Sequence, residues 1–72
     1  MTEWVFVTST AIAAIGYERE TRRLFIDFHD STPTYTFCDV PEAVYRTFVK
    51  APSVGRFYHR YIRDKYLCEE GP

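Results

Sequence analysis

The second half of the chain carries cationic side chains at spacings that would place them on one face of a helix. Arg56, His59, Arg60 and Arg63 recur at intervals of three and four residues, and residues so spaced are neighbours on a helix surface. A guanidinium can donate two parallel hydrogen bonds to a phosphate and can also stack on a base. This row predicts an RNA-binding surface, and its alternative is a solvated helix face with weak surface ion pairs. Further cations that would join the surface are Arg46, Lys50 and Lys65.

Aromatic residues offer a second kind of binding chemistry. Tyr35 and Phe37, together with Tyr17 and Phe28, would form a platform for unpaired bases on an open sheet. The competing interpretation is a hydrophobic core, because these rings share a predicted strand face with aliphatic residues. Core packing is the favoured interpretation, since aromatic residues that alternate beside aliphatic ones are usually buried.

The cysteines and histidines do not have the spacing of a metal site. His29, His59, Cys38 and Cys68 lie far apart in the sequence, whereas structural zinc sites use close pairs of ligands. Two cysteines without C-x-x-C spacing are expected to be reduced thiols, with a single disulfide as the alternative. No bound metal is therefore expected.

No enzyme motif is present. The sequence contains no G-x-S-x-G, P-loop or H-E-x-x-H pattern. Ser53, His59 and Asp64 would supply a nucleophile, a base and a group that orients the base, but almost any chain offers such a set. We expect a protein without catalytic activity and without a cofactor.

Length and charge distribution indicate one domain with two unlike halves. The 72 residues are 46% hydrophobic and carry a net charge of −1, which is the composition of a small globular domain covering residues 1–72. Residues 1–42 contain seven acids and three cations, whereas residues 43–66 contain six cations and one acid. This asymmetry indicates a polarised surface that would suit an acidic partner, and the alternative, which is the more common explanation, is helices solvated by arginine. The sequence shows neither a signal peptide nor a membrane-spanning run, so a cytoplasmic protein is expected.

Hydrophobic periodicity predicts an α+β fold. Alternating, β-branched and aromatic runs predict four strands over residues 4–7, 11–17, 24–28 and 34–38. Because the connections between these strands are short and polar, we expect consecutive strands to form antiparallel hairpins. A first helix opens at Val40-Pro41-Glu42, with Asp39 or Val40 as its cap, and stops at Ala51-Pro52. A second covers residues 54–65 with Ser53 as its cap. The prediction is a three- to four-stranded antiparallel β-meander with two C-terminal helices packed on one face.

Alternation also predicts the buried faces. Leu24, Ile26 and Phe28 share one face of the third strand, and the register that we expect sets Tyr35 beside Phe28 and Phe37 beside Ile26. The second strand extends this face with Ala13, Ile15 and Tyr17. On the second helix, the face predicted to pack on the sheet comprises Phe57, Tyr58, Tyr61 and Ile62.

These residues, in this order and spacing, resemble the KTSC domain over about residues 8–66. The family takes its name from the C-terminus of some lysyl-tRNA synthetases and also occurs as stand-alone bacterial proteins. The matching segments are Ile12-Ala13-Ala14-Ile15-Gly16-Tyr17, Leu24-x-Ile26-x-Phe28, Tyr35-x-Phe37, Val40-Pro41 with Val44-Tyr45 and Phe48, and Ser53-x-Gly55-Arg56-Phe57-Tyr58 with Ile62-Arg63. The family's Y-x-Y motif falls on Tyr35-Thr36-Phe37, where phenylalanine replaces the second tyrosine.

The resemblance implies an uncharacterised bacterial domain for which RNA binding has been suggested. Transfer RNA would be the partner, and the cationic helix face the contact. The alternative is a protein-interaction module or weak homodimer, in which the strand of residues 4–7 pairs at the sheet edge and Trp4 and Phe6 serve as anchors. No membrane partner is implied, and the chain is expected to be a monomer or a weak homodimer.

Overall fold

The first half of the chain forms an antiparallel sheet, and the second half forms its helical cover. The structure is a computed structural model that describes residues 1–30 and 33–68. The sheet has four strands in the order β1-β2-β3-β4, and the predicted meander and α+β fold class are confirmed. The elements are β1 (Thr2–Phe6), β2 (Ile12–Glu18), β3 (Arg23–Phe28), β4 (Tyr35–Phe37), α1 (Glu42–Lys50), α2 (Val54–Phe57) and a π-helical segment (Tyr58–Ile62).

The register between β3 and β4 differs from the predicted one by two residues. Tyr35 lies opposite Ile26, and Phe37 lies opposite Leu24. The predicted pairing of Tyr35 with Phe28 and of Phe37 with Ile26 is therefore wrong. Because side chains alternate with a period of two, this shift leaves each residue on its predicted face.

A bulge in β2 changes which residue of its first half is buried. The register between β2 and β3 shifts between Ile12 and Ala14, and the extra residue reverses the alternation there. Ile12 and Ile15 are both fully buried, whereas Ala13 is only partly buried. Ala13 was predicted to extend the face of Ile15 and Tyr17, and that prediction is wrong.

The core lies between one face of the sheet and the helices. Its fully buried side chains include Leu24 and Ile26 from the sheet and Phe48 and Ile62 from the helical half. Tyr17 links the two layers. Its ring stacks on Tyr45 of α1 with the centroids 4.7 Å apart, and its hydroxyl donates a 2.6 Å hydrogen bond to the backbone carbonyl of Val40.

The two helices begin differently. As predicted, Ser53 caps α2, since its hydroxyl accepts a hydrogen bond from the Arg56 backbone N–H at 3.3 Å. The cap position of α1 is Pro41, not Asp39 or Val40, and Pro41 makes no side-chain cap hydrogen bond. Asp39 has a φ of 58° and so lies in the left-handed region that aspartate tolerates, while Val40 is buried in the core.

The second helix is not a regular α-helix over its predicted length. After one turn of α2 the chain continues as the π-helical segment, which ends with a 2.9 Å hydrogen bond from the Arg63 N–H to the Tyr58 carbonyl. The buried positions follow a four-residue interval at Val54, Tyr58 and Ile62. Tyr61 was predicted to be buried, but its side chain is 45% exposed.

A disulfide joins Cys38 to Cys68, so the expected pair of reduced thiols is wrong for this structure. The end of β4 lies beside the C-terminal segment, where the Cys38 N–H donates a 2.8 Å hydrogen bond to the Tyr66 carbonyl. This contact brings the two Cα atoms to 4.9 Å, within the normal range for a disulfide. The proximity arises from tertiary packing, which cysteine spacing does not encode. Within the described residues, no helix has the length and apolarity to cross a membrane.

Replacing Tyr17 by phenylalanine should lower the free energy of unfolding by about 1–3 kcal/mol, because the buried Val40 carbonyl loses its donor. Urea denaturation would measure the change. Tyr61→Phe is the matched control, since its ring is partly exposed, and it should stay within about 0.5 kcal/mol of wild type. Equal stabilities for the two variants would contradict this account of Tyr17.

Replacing Cys38 and Cys68 together by serine should lower the free energy of unfolding by roughly 2–4 kcal/mol, since the disulfide closes a loop across a sequence separation of 30 residues. Secondary structure by circular dichroism should persist in the absence of denaturant, because neither cysteine belongs to the buried core cluster. Titration of the unfolded wild-type protein with a thiol reagent, before any reduction, is the control. Two reactive thiols there would show that the disulfide does not form.

Candidate nucleic-acid interface

A groove with cationic walls lies between the α1–α2 connection and the π-helical segment. Arg56, His59 and Arg60 line it, and Pro52 and Phe57 give it an apolar surface. The groove encloses about 720 Å³. It combines guanidinium donors with an apolar surface, and this combination suits a ligand with both anionic and planar parts.

The local fold explains why these cations lie together. Ser53 fixes the start of α2, so Arg56 follows in its first turn. Four residues later, Arg60 lies in the π-helical segment. The neighbouring positions Val54, Tyr58 and Ile62 are buried in the core, and the residues exposed between them are Arg56, His59, Arg60 and Tyr61. Helical spacing on a helix held by its buried side therefore determines the cationic wall.

The two groove arginines differ electrostatically from Arg46, which was predicted to join them. Arg46 lies 2.9 Å from the carboxylate of Glu42, which also accepts a 3.0 Å hydrogen bond from Arg19. The hydrogen bond from Arg19 lowers the pKa of Glu42. Among the residues that the structure describes, no carboxylate forms an ion pair with Arg56 or Arg60. These two guanidinium groups therefore keep their donors available, whereas the charge of Arg46 is largely compensated.

The other predicted cations are distributed around the groove. Lys65 lines a second groove on the opposite side of Tyr61, and Lys50 lies in the last turn of α1, outside the lining of either groove. Arg63 ends the π-helical segment and is exposed. Burial raises the pKa of the Tyr58 phenol, and the positive charge of Arg63 partly offsets this rise. The predicted row is thus divided between two grooves and their surroundings.

The aromatic motif residues fall in different environments. Phe37 is buried against Tyr58, with the centroids 6.0 Å apart. Tyr35 is 43% exposed and packs edge-on against Phe28 at 5.1 Å. Phe37 therefore belongs to the core, and Tyr17 is buried there as well. Tyr35 leaves part of its ring at the sheet edge, and it lines neither groove.

Tyr61 is the site residue that the sequence-based prediction missed. It borders both grooves, and its ring lies 4.8 Å from that of Phe57. An α-helical pattern places Tyr61 beside Ile62 on the packed face. No sequence signal distinguishes this segment from an α-helix, because the four-residue interval of Val54, Tyr58 and Ile62 is also an ordinary α-helical spacing.

The edge strand β1 bears the two predicted protein anchors in different settings. Trp4 covers Gly16, where a Cβ atom would lie 2.9 Å from the indole, and its ring centroid is 6.2 Å from that of Phe25. Phe6 is 85% exposed. Trp4 is therefore partly engaged within the sheet, and only Phe6 projects fully from the edge.

The remaining candidates have local structural partners. An imidazole nitrogen of His29 lies 2.9 Å from the Ser9 carbonyl oxygen, and the Ser53 hydroxyl caps α2. Within residues 1–30 and 33–68, no three side chains of His, Cys, Asp or Glu come together as a metal site. Asp64, which was considered with Ser53 and His59, follows the π-helical segment and is exposed.

Together these features define a small α+β domain with a four-stranded meander, a two-part helical cover and a cationic surface groove. The family model of the KTSC domain matches residues 8–66. The chain belongs to the KTSC domain family, and the predicted resemblance is confirmed. A crystal structure of a KTSC domain protein from Yersinia pestis superimposes over 100% of both chains, with a TM-score of 0.87 and 35% sequence identity.

Curated relatives are much longer proteins. The chain is 33% identical over 61 residues to a lysine–tRNA ligase of Nostoc punctiforme. The aligned residues cover 85% of this chain and 11% of that protein. It is 35% identical over 54 residues to a lysine–tRNA ligase of Trichormus variabilis. This alignment covers 75% of this chain and 9% of that protein. The chain thus spans about a tenth of the length of the curated relatives that it matches.

Proposed function

We propose that this protein is a non-catalytic RNA-binding domain whose cationic groove contacts the phosphates of transfer RNA. Arg56 and Arg60 would be the principal contacts, with His59 beside them and Lys65 on the neighbouring groove. The observation that carries the proposal is the pairing of two guanidinium groups, free of ion pairs with described carboxylates, with an apolar groove surface. Phosphate contacts of this kind give affinity without reading sequence.

The charge distribution supports an anionic ligand at this part of the surface. On α1, Glu42 pairs with Arg46 and with Arg19, so part of the positive charge near the first helix is compensated. The π-helical segment contains His59 and Arg60 and no acid. Like-charged groups in a groove concentrate their field there, and this raises the local concentration of an oppositely charged ligand.

The curated relatives support the choice of transfer RNA. Their names state that they join lysine to tRNA, and the segment similar to this chain makes up 11% and 9% of their lengths. So small a part of a ligase suits an accessory contact better than the catalytic reaction. Transfer RNA as the ligand would place this chain in the bacterial cytoplasm, where reducing conditions would open the Cys38–Cys68 disulfide.

Transfer RNA binding should weaken steeply with added salt, because phosphate contacts release counterions. Arg60→Glu should lower the affinity by about tenfold and reduce the magnitude of the slope of log affinity against log salt by about 1. Filter binding at several salt concentrations measures both quantities. Arg22→Glu is the matched control, since it changes the net charge equally at an exposed position on the β2–β3 turn.

Two results would contradict the proposal. Equal losses of affinity in Arg60→Glu and Arg22→Glu would show that only net charge matters. Wild-type binding that does not depend on salt would show that the phosphates are not the contact. Circular dichroism of each variant verifies that the fold is retained.

A second function is favoured by the free edge of β1. Phe6 is 85% exposed on a strand that pairs with β2 on one side only. An edge strand with an exposed aromatic residue can add a strand from a partner or from a second copy. The second candidate is therefore a protein-interaction module or weak homodimer formed through β1.

If β1 mediates self-association, the average mass in analytical ultracentrifugation should rise with protein concentration. Phe6→Glu should keep the chain monomeric, because it places a charge in the new strand pair. Thr8→Glu is the control, since Thr8 is exposed two residues beyond the end of β1. A wild-type chain that stays monomeric throughout the concentration series would rule out the homodimer.

A further inference from the structure

Phe57 and Tyr61 form an aromatic ridge that separates the two grooves. Both residues line both grooves, and their ring centroids are 4.8 Å apart. On the inner side, Phe57 stacks on Phe48 with the centroids 5.3 Å apart and the planes inclined by 17°. Phe48 is fully buried, whereas Tyr61 is 45% exposed. The outermost ring is thus supported by a series of rings that begins in the core.

Cations flank the ridge on both sides. Arg56 and Arg60 line the first groove, and Lys65 lines the second. An extended anionic chain that crosses the ridge would meet positive charge before and after Tyr61. A planar group between two neighbouring charges of that chain would lie beside the exposed ring of Tyr61.

We propose that the ridge is a base-stacking platform, on which Tyr61 stacks with an unpaired base while the flanking cations bind the adjoining phosphates. The ligand is single-stranded RNA, including the loops and ends of folded RNA. Aromatic rings next to cationic grooves are the common means of binding single strands, and stacking tolerates any base because every base has a π-face. This inference rests on the proposed RNA-binding function and adds a preference for unpaired nucleotides.

The local backbone agrees with a binding role for this segment. His59, Arg60 and Tyr61 are consecutive residues of the π-helical segment, and π-helical turns occur frequently at functional sites. The wider turn keeps Tyr58 and Ile62 in the core and leaves Tyr61 at the surface beside Phe57. A base paired in a duplex is stacked between its neighbours and cannot offer a face to this ring, so the platform should discriminate against duplex RNA.

Fluorescence anisotropy tests the proposal with an unstructured labelled oligoribonucleotide and with the duplex made by annealing it to its complement. The wild-type chain should prefer the single strand by about tenfold. Tyr61→Leu should remove this preference through weaker single-strand binding, with duplex affinity unchanged, because leucine keeps an apolar side chain but has no π-face. Tyr61→Phe should retain the preference.

Tyr35→Leu is the matched control, because Tyr35 is 43% exposed and lines neither groove. It should bind both RNA forms as wild type does. Circular dichroism and urea denaturation verify that each variant is folded.

The possible outcomes separate the two proposals. Binding of single strand and duplex with equal affinity, both weakened by Arg60→Glu, would overturn the stacking platform and leave the phosphate-binding function standing. A preference that survives in Tyr61→Leu, or that is lost in Tyr35→Leu instead, would also overturn it. No binding of either RNA form by the wild-type chain would overturn both proposals.

Discussion

The packing of the helical half against one apolar face of the sheet depends on Tyr17. Its ring stacks on Tyr45 of α1, and its hydroxyl bonds to the Val40 carbonyl at the start of the helical half. Aromatic side chains bury a large area each, and this lets a chain of 72 residues build a sufficient core. Tyr17 satisfies a buried backbone acceptor at the point where the chain leaves the sheet. The orientation of α1, and with it the position of α2 and the groove, follows from that junction.

The groove is a consequence of how the second helix is packed. Burial of Val54, Tyr58 and Ile62 fixes the rotation of the helix about its axis. Arg56 and Arg60 keep the same four-residue interval and so remain together outside the core. The side chains that stabilise the fold and those proposed to bind RNA are therefore coupled through one helical spacing. A substitution at Tyr58 would therefore shift the groove arginines, even though the Tyr58 phenol lies in the core.

Alternation along the strands was sufficient to predict the sheet, because errors of two residues do not change faces. The register of Tyr35 and Phe37 was wrong, yet Phe37 is in the core as its face required. An error of one residue does change the face. Because of the bulge at Ala13, Ile12 is buried at the position where Ala13 was predicted to be. No sequence pattern marks that bulge, since Ala13 and Ala14 are both small and both fit a strand.

The features missed in the second half depend on tertiary contacts or on an uncommon helical geometry. The pairing of Cys38 with Cys68 requires the C-terminal segment to return to the end of β4. The exposure of Tyr61 follows from a π-helical turn, whose rarity makes the α-helical period the natural assumption. In contrast, the cationic residues themselves were evident, because Arg56 and Arg60 are four apart in any helix.

The candidate site lies on the helical half, where cations that pair with no described carboxylate line the same groove as an exposed ring. The face of the sheet opposite the core has Trp4 packed over Gly16 and beside Phe25, so its aromatic rings partly cover one another. Phosphate recognition requires cations whose charge is not already compensated, and base recognition requires an exposed ring. Arg60 and Tyr61 meet both requirements where they line the same groove, and this juxtaposition is the reason that we propose a nucleic-acid ligand rather than a protein strand.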